Sequence, residues 1–202
     1  MDSNNSASVP LQQTSNPMFK IPVFLSYATP FNDLQTEFLN RTVNEIEENL
    51  LFPRTLGVSD QYTETPVASI RRMMLSSYGC LAIAFRRALV IQAISRPGSP
   101  GQAVFENFWL SSPFLQIEPA MAFERGLPLM ILVEDGVSMN GVFGGMLERG
   151  ETPFIILTFS LLNEQSIVNF FNSTSWKEAF LDWVGEVRSG YTLQTEPEFK
   201  FV

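Results

Sequence analysis

The chain has 202 residues, 45% of them hydrophobic, with 21 acidic against 13 basic side chains and a net charge of −8. That length suits one globular domain, and the acidity argues against a nucleic-acid phosphate backbone as the main partner. There is no histidine and one cysteine, Cys80, which excludes a Ser-His-Asp triad, a Cys-His dyad, histidine metal sites, an intrachain disulfide and a cysteine zinc cluster.

No apolar run approaches the ~20 residues that span a bilayer, and the N-terminus lacks the basic-then-apolar pattern of a signal peptide. The expectation is a cytoplasmic protein that binds neither membrane nor nucleic acid. Residues 1–17, rich in Ser, Asn and Gln, read as a disordered tail. A single domain is expected over 18–190, with a C-terminal tail over 191–202.

Ile21 to Tyr27 reads as a short apolar strand. Asn32 suits a helix cap, and Leu34, Phe38, Leu39, Val43, Ile46 and Leu50 recur at helical spacing behind it. Glu37, Arg41, Glu45, Glu47 and Glu48 form the solvated face of that helix. Leu51 to Leu56 is a second strand, placed near an edge by Pro53. Thr65-Pro66 opens a second helix, with Val67, Ile70, Met73 and Met74 expected inward. Gly79 to Phe85 is a third strand, and Arg86-Arg87 follow at its end.

Ala88 to Ser111 reads as a long connection around the Pro/Gly/Ser cluster at Arg96 to Gly101, a lid or local insertion. Ser112 is expected to cap the next helix, with Pro113 in its first position. Gly126 and Pro128 end it, and Leu127 to Val133 is an apolar strand covered on both faces. Met139 to Arg149 is expected as a short helix, Thr152 to Phe159 as a fifth strand, and Asn163 to Phe171 and Ser175 to Val187 as terminal helices. The last of these is expected to bury Trp176, Phe180, Trp183 and Val184.

Strands alternating with helices predict an α/β fold with a parallel sheet and right-handed crossovers. Five strands suit a flavodoxin-like three-layer sandwich with strand order 2-1-3-4-5. Ligands of such sheets bind at the carboxyl ends of the strands, where the order reverses. Tyr27 to Phe31, Arg86-Arg87 and the approach to Glu118 are thereby expected around one crevice. Glu118 lies within an otherwise apolar helix, with Phe114 one turn before and Ala122 one turn after. A carboxylate there is either solvated at the surface or paired and used. Glu124 lies roughly 240° around the helix from Glu118, so the two form no carboxylate pair.

Two motifs carry a family resemblance. Val23-Phe-Leu-Ser-Tyr27 resembles the first strand of TIR domains. Glu118, Ala122, Gly126 and Pro128, just before an apolar strand, resemble the nucleophile helix of nucleoside 2-deoxyribosyltransferases. NAD-cleaving TIR-type enzymes likewise place a catalytic Glu on the helix after the third strand. The resemblance spans about residues 21–159. It implies a TIR-like fold, an N-glycosidase with Glu118 as catalytic carboxylate, NAD as substrate without a further cofactor or metal, homo-oligomeric assembly and a role in bacterial antiphage defence. The chain departs from the transferases in carrying Arg86-Arg87 where they often have an acidic residue, and Phe114-Leu-Gln-Ile117 before the nucleophile.

The chemistry favours one leaving group. Cleavage of an N-glycosidic bond develops oxocarbenium charge, which a carboxylate can stabilise or capture at C1′. A neutral purine needs a general acid as it leaves, whereas the nicotinamide of NAD departs from a pyridinium without one. One Glu and no His therefore suits NAD. Arg86 or Arg87 can clamp a pyrophosphate or stay a surface pair. Tyr27, Phe31 and Trp109 can stack on a base or line the core. Ser26 can bond a ribose hydroxyl or the backbone. Glu134-Asp135 can meet ribose hydroxyls or shape a turn. Two readings remain open: an NAD glycohydrolase or cyclase, with a nucleoside N-glycosidase beside it, and a non-catalytic nucleotide-sensing or assembly module.

Overall fold

A computed structural model describes residues 20–144 and 154–195. Its centre is a five-stranded parallel sheet. The strands are β1 (Ile21–Tyr27), β2 (Leu51–Arg54), β3 (Cys80–Ala84), β6 (Leu129–Glu134) and β7 (Ile155–Phe159), in the order β2-β1-β3-β6-β7. Every residue of β3 and β6 is buried, as expected of unbroken apolar runs in the middle of a parallel sheet. Pro53 sits on the edge strand β2, where its missing N–H costs no ladder bond. The order reverses between β1 and β3, at the α/β switch point that the sequence predicts.

Helix α1 (Asp33–Glu48) starts at Asn32, whose side chain accepts from the Gln35 amide at 2.9 Å. Its inward stripe is Phe38, Leu39, Val43 and Ile46, and it also carries Gln35 and Thr42, both fully buried. Leu50 falls outside the stripe: it follows the helix end with φ +59° and is exposed. Helices α4 (Glu164–Asn172) and α5 (Thr174–Thr195) join α1 on one face of the sheet. An aromatic core binds that layer. Phe38 stacks on Phe159 at 3.9 Å, Phe85 meets Phe38 edge-on at 6.0 Å, and Trp176 stacks on Phe180 at 4.7 Å. Trp183 donates to the Pro128 carbonyl at 3.2 Å. A Cβ at Gly79 would run into Val187 of α5, so only glycine lets that helix sit so close.

Helices α2 (Pro66–Leu75) and α3 (Phe114–Glu124) cover the other face, α3 lying over β1, β3 and β6. Ile70, Met73 and Met74 of α2 are buried, whereas Val67, expected inward, is half exposed in the first turn. The expected cap at Ser112 is absent. Pro113 already takes helical dihedrals at the cap position, no side chain caps the helix, and the Ser112 carbonyl accepts from Leu115 N at 3.0 Å.

The connection after β3 is not a loop. It is a separate antiparallel hairpin, β4 (Ala88–Ser95) and β5 (Ala103–Leu110), joined by the Pro/Gly/Ser cluster as its turn. Both strands are half exposed throughout, so neither shows the polar–apolar alternation that marks a strand with one covered face. Its root is tied to the sheet: Trp109 N donates to Gly136 O at 3.0 Å, and Ser138 N to Trp109 O at 2.8 Å.

Other boundaries shift. β7 begins at Ile155 rather than Thr152, which lies outside the described residues. Within the stretch expected as a helix over 139–149, the described part forms only a 3-10 turn, Gly141–Gly144. Helix α5 runs to Thr195, into the stretch expected as a tail. The expected tail over residues 1–17 and the end of the chain after 195 lie outside the described residues. Among the described residues no helix is long and apolar enough to cross a membrane.

Candidate active site

Strand alternation turns Ser26 of β1 toward α3 and its neighbour Tyr27 toward the opposite layer. Helix α3 lies against β1, β3 and β6 and presents Glu118 to Ser26. The Ser26 hydroxyl donates to Glu118 Oε2, joining residues 92 apart in sequence. Glu118 is 8% exposed and Ser26 is 2% exposed. A surface carboxylate is thereby excluded. Burial pushes the Glu118 pKa up from 4.5 to about 7, with the Ser26 hydrogen bond pulling the other way. Cys80, fully buried on β3, has its thiol raised well above the usual range by burial and then by the Glu118 charge.

The face of α3 that carries Glu118 is graded. Phe114, one turn before, is exposed, and Ala122, one turn after, is fully buried. The carboxyl therefore sits between an exposed and a fully buried turn of the helix, toward the side of the β-strand carboxyl ends. Pro119 follows Glu118 directly within the helix. Having no N–H, it leaves the Leu115 carbonyl without its i→i+4 donor. Just ahead of the helix, Ser111 Oγ is the one buried side-chain polar atom without a hydrogen-bond partner among the described residues. Buried polar groups are nearly always satisfied, and this hydroxyl is the exception among the described residues.

A second buried cluster lies at the carboxyl ends of β3 and β6. Glu134 Oε2 accepts from Gln35 Nε2 at 2.9 Å and from Arg86 N at 2.9 Å. Gln35 also donates to the Arg86 carbonyl at 3.2 Å, and its Oε1 accepts from Phe31 N at 3.0 Å. The Arg86 guanidinium lies 3.7 Å from Glu134 Oε1, donates to the Asp135 carbonyl and sits 5.8 Å from the Trp109 ring centre. Together these groups fasten the β1–α1 loop, the end of β3 and the root of the hairpin to one carboxylate.

The structure thus brings Glu118 and Ser26 together, with Ala122 buried one turn after and Phe114 exposed one turn before. Tyr27 is half-buried and its hydroxyl pKa is raised by burial. Phe31 is exposed on the β1–α1 loop, and Arg87 is exposed beyond β3. Arg86 and Trp109 belong to the Glu134 cluster. Glu134 itself is 5% exposed and acts as a junction rather than a turn residue. Glu124 is exposed. Gln35 is missing from the sequence reading, although it falls on the same helical stripe as Phe38, Thr42 and Ile46 and was detectable there. Nothing in the sequence singles out Ser111. Among the described residues no group of three or more His, Cys, Asp or Glu side chains converges as a metal site would require.

Comparison with protein families gives no matching model, and comparison with curated proteins gives no matching relative. Among solved structures, the chain is similar to the metal-soaked Flv1 flavodiiron core from Synechocystis sp. PCC6803, at 12% identity and a TM-score of 0.43, covering 86% of this chain and 37% of that one. The chain therefore spans little more than a third of that protein's length. It is also similar to the TIR domains of the activated Roq1 resistosome that directly recognizes the pathogen effector XopQ, at 12% identity and a TM-score of 0.37, covering 90% of this chain and 92% of that one.

Proposed function

We propose that the protein is an N-glycosidase that cleaves the nicotinamide–ribose bond of NAD, with Glu118 as the catalytic carboxylate. The observation that carries this reading is a buried carboxyl, bonded by Ser26, on the helix that covers the switch point of a parallel sheet. Burying an ionisable group without a compensating ion pair is costly, and carboxyls perturbed in this way concentrate at functional sites. Among the described residues Glu118 has a hydroxyl partner and no cation within ion-pair distance. An oxocarbenium ion forming beside it would supply the missing positive charge. The electrostatic penalty of burying the carboxylate then becomes stabilisation of the transition state.

Protonation separates two versions of the chemistry. NAD cleavage needs the carboxylate, since nicotinamide leaves neutral without an acid. With a pKa of about 7, NAD cleavage rises with pH through neutrality. A purine nucleoside needs a proton on its leaving base, and the same raised pKa makes Glu118 a competent acid below neutrality. That is the second reading, and it runs with the opposite pH dependence. The exposed Phe114, one turn before Glu118, can supply a stacking contact for either substrate.

The test is incubation of the full chain with NAD at several pH values, with chromatography of the products, beside Glu118→Gln. Nicotinamide release that climbs through about pH 7 and is lost in the variant supports the reading. The co-product tells hydrolysis from cyclisation. Base release from nucleosides that falls with pH supports the second version. No release from either substrate, also under crowding, overturns both in favour of a non-catalytic nucleotide-sensing module.

A further inference from the structure

Gln35 is wholly buried in the first turn of α1. A polar side chain there loses its water and needs each partner replaced. Nε2 donates to Glu134 Oε2 at 2.9 Å and to the Arg86 carbonyl at 3.2 Å, and Oε1 accepts from Phe31 N at 3.0 Å. Glu134 and the Arg86 carbonyl are acceptors, whereas the Phe31 amide is a donor. Only a carboxamide presents two donors and an acceptor on one planar end. Glutamate lacks the donors, lysine and arginine lack the acceptor, and asparagine is a methylene shorter. These bonds run from the centre of the sheet to its rim. Glu134 ends β6, which is buried along its whole length. Phe31 is 59% exposed, on the short loop between Tyr27 and α1. Exposed loop residues are ordinarily mobile, yet this one has its backbone tethered to a buried network. The tether is doubled by Asn32, whose side chain accepts from Gln35 N at 2.9 Å. The loop leaves the end of β1 just after Ser26, on the side where ligands of parallel α/β sheets bind.

We propose that Gln35 is a positioning residue: by linking the Phe31 amide to Glu134 it fixes the β1–α1 loop and holds the Phe31 ring ready to stack on the base of a bound nucleotide. The substrate named here rests on the NAD-cleaving reading, while the link from Gln35 to Phe31 stands on the hydrogen bonds alone. Helix α3 lies over β1, β3 and β6, so Phe31 and Glu118 are both placed by reference to the same central strands. Fixing the loop before substrate arrives lowers the ordering cost of binding. Glu118 is bonded by Ser26 and handles the reacting bond outside this network. The effect of Gln35 therefore falls on KM rather than on kcat.

Amide hydrogen exchange and steady-state kinetics on the full chain test the two halves. Gln35→Met keeps the length of the side chain and removes its bonds, so the Phe31 amide should exchange roughly tenfold faster, as the loss of one hydrogen bond predicts. Glu134→Gln keeps the shape but removes the charge that strengthens the Gln35 bond. It should speed the same amide by a smaller factor, and it takes the place of Gln35→Met in both arms if that variant does not fold. Phe31→Ala, a change at an exposed side chain, should raise KM for NAD roughly fivefold by loss of stacking. Gln35→Met should also raise KM with little change in kcat, and the double variant should go no further than Phe31→Ala alone, since both act through one ring. A Phe31 amide indifferent to the Gln35 and Glu134 variants, a fall in kcat at constant KM, or additive KM effects overturns the proposal. A parent chain that releases no nicotinamide overturns the glycosidase reading and the substrate named here, and exchange at Phe31 then decides the link by itself.

Discussion

Replacing Glu118 by glutamine is expected to stabilise the fold, by an amount set by pH. The buried carboxyl holds its proton up to about pH 7, whereas the unfolded chain releases it near 4.5. Below 4.5 both states are protonated and burial carries no electrostatic penalty. As pH rises, the unfolded state ionises first and the folded state loses ground, until the loss is complete above 7. A shift from 4.5 to about 7 corresponds to about 3 kcal/mol at pH 8, falling to roughly 0.8 kcal/mol at pH 5. Glutamine has the same shape, keeps an oxygen for the Ser26 hydroxyl and never ionises, so it escapes that loss. Urea denaturation of both proteins at pH 5 and pH 8 measures the difference directly, and a gain of about 3 kcal/mol corresponds to roughly 6–12 °C in Tm for a chain of this size. A stability difference that stays constant between the two pH values refutes the desolvated carboxyl, and with it the electrostatic argument for catalysis. Activity lost alongside stability gained would be the signature of a functional group held at the expense of the fold.

Two further substitutions examine the surrounding design. Ser26→Ala removes the hydrogen bond that holds the Glu118 pKa down, so the midpoint of the pH-dependent stability difference, and of nicotinamide release, should move above 7; an unchanged or lower midpoint counts against the pairing. Gln35→Leu leaves the Phe31 amide and the Glu134 carboxylate short of partners and should cost about 2–3 kcal/mol in urea denaturation, a loss under 0.5 kcal/mol being the result that contradicts a satisfied buried network.

The sequence made some elements easy to read and hid others for physical reasons. β1, β3 and β6 were legible because a central strand buried on both faces needs an unbroken apolar run, and Asn32 was legible because a cap uses a local hydrogen bond. The turn-to-turn grouping of Phe114, Glu118 and Ala122 follows from helix geometry alone. The Ser26–Glu118 contact does not: it joins segments 92 residues apart and is seen only in the folded structure. The hairpin escaped because its residues face solvent on both sides, so no periodicity distinguishes strand from loop, and its Pro/Gly turn looked like the centre of a loop. Glu134 was misread because an acidic residue at a strand end usually serves a turn, and its real partners, Gln35 and Arg86, come from two other elements.

The layering also divides the three tryptophans. Trp176 and Trp183 are sealed in the aromatic core on the inner face of α5, while Trp109 is half-buried at the hairpin root beside the Arg86 guanidinium. Emission from the core pair is shielded from solvent and from dissolved quenchers, and changes only when the domain itself opens. Emission from Trp109 responds to the seating of the hairpin on the end of β6. The molecule carries two optical gauges in separate compartments, one for its overall integrity and one for the root from which its outlying strands project.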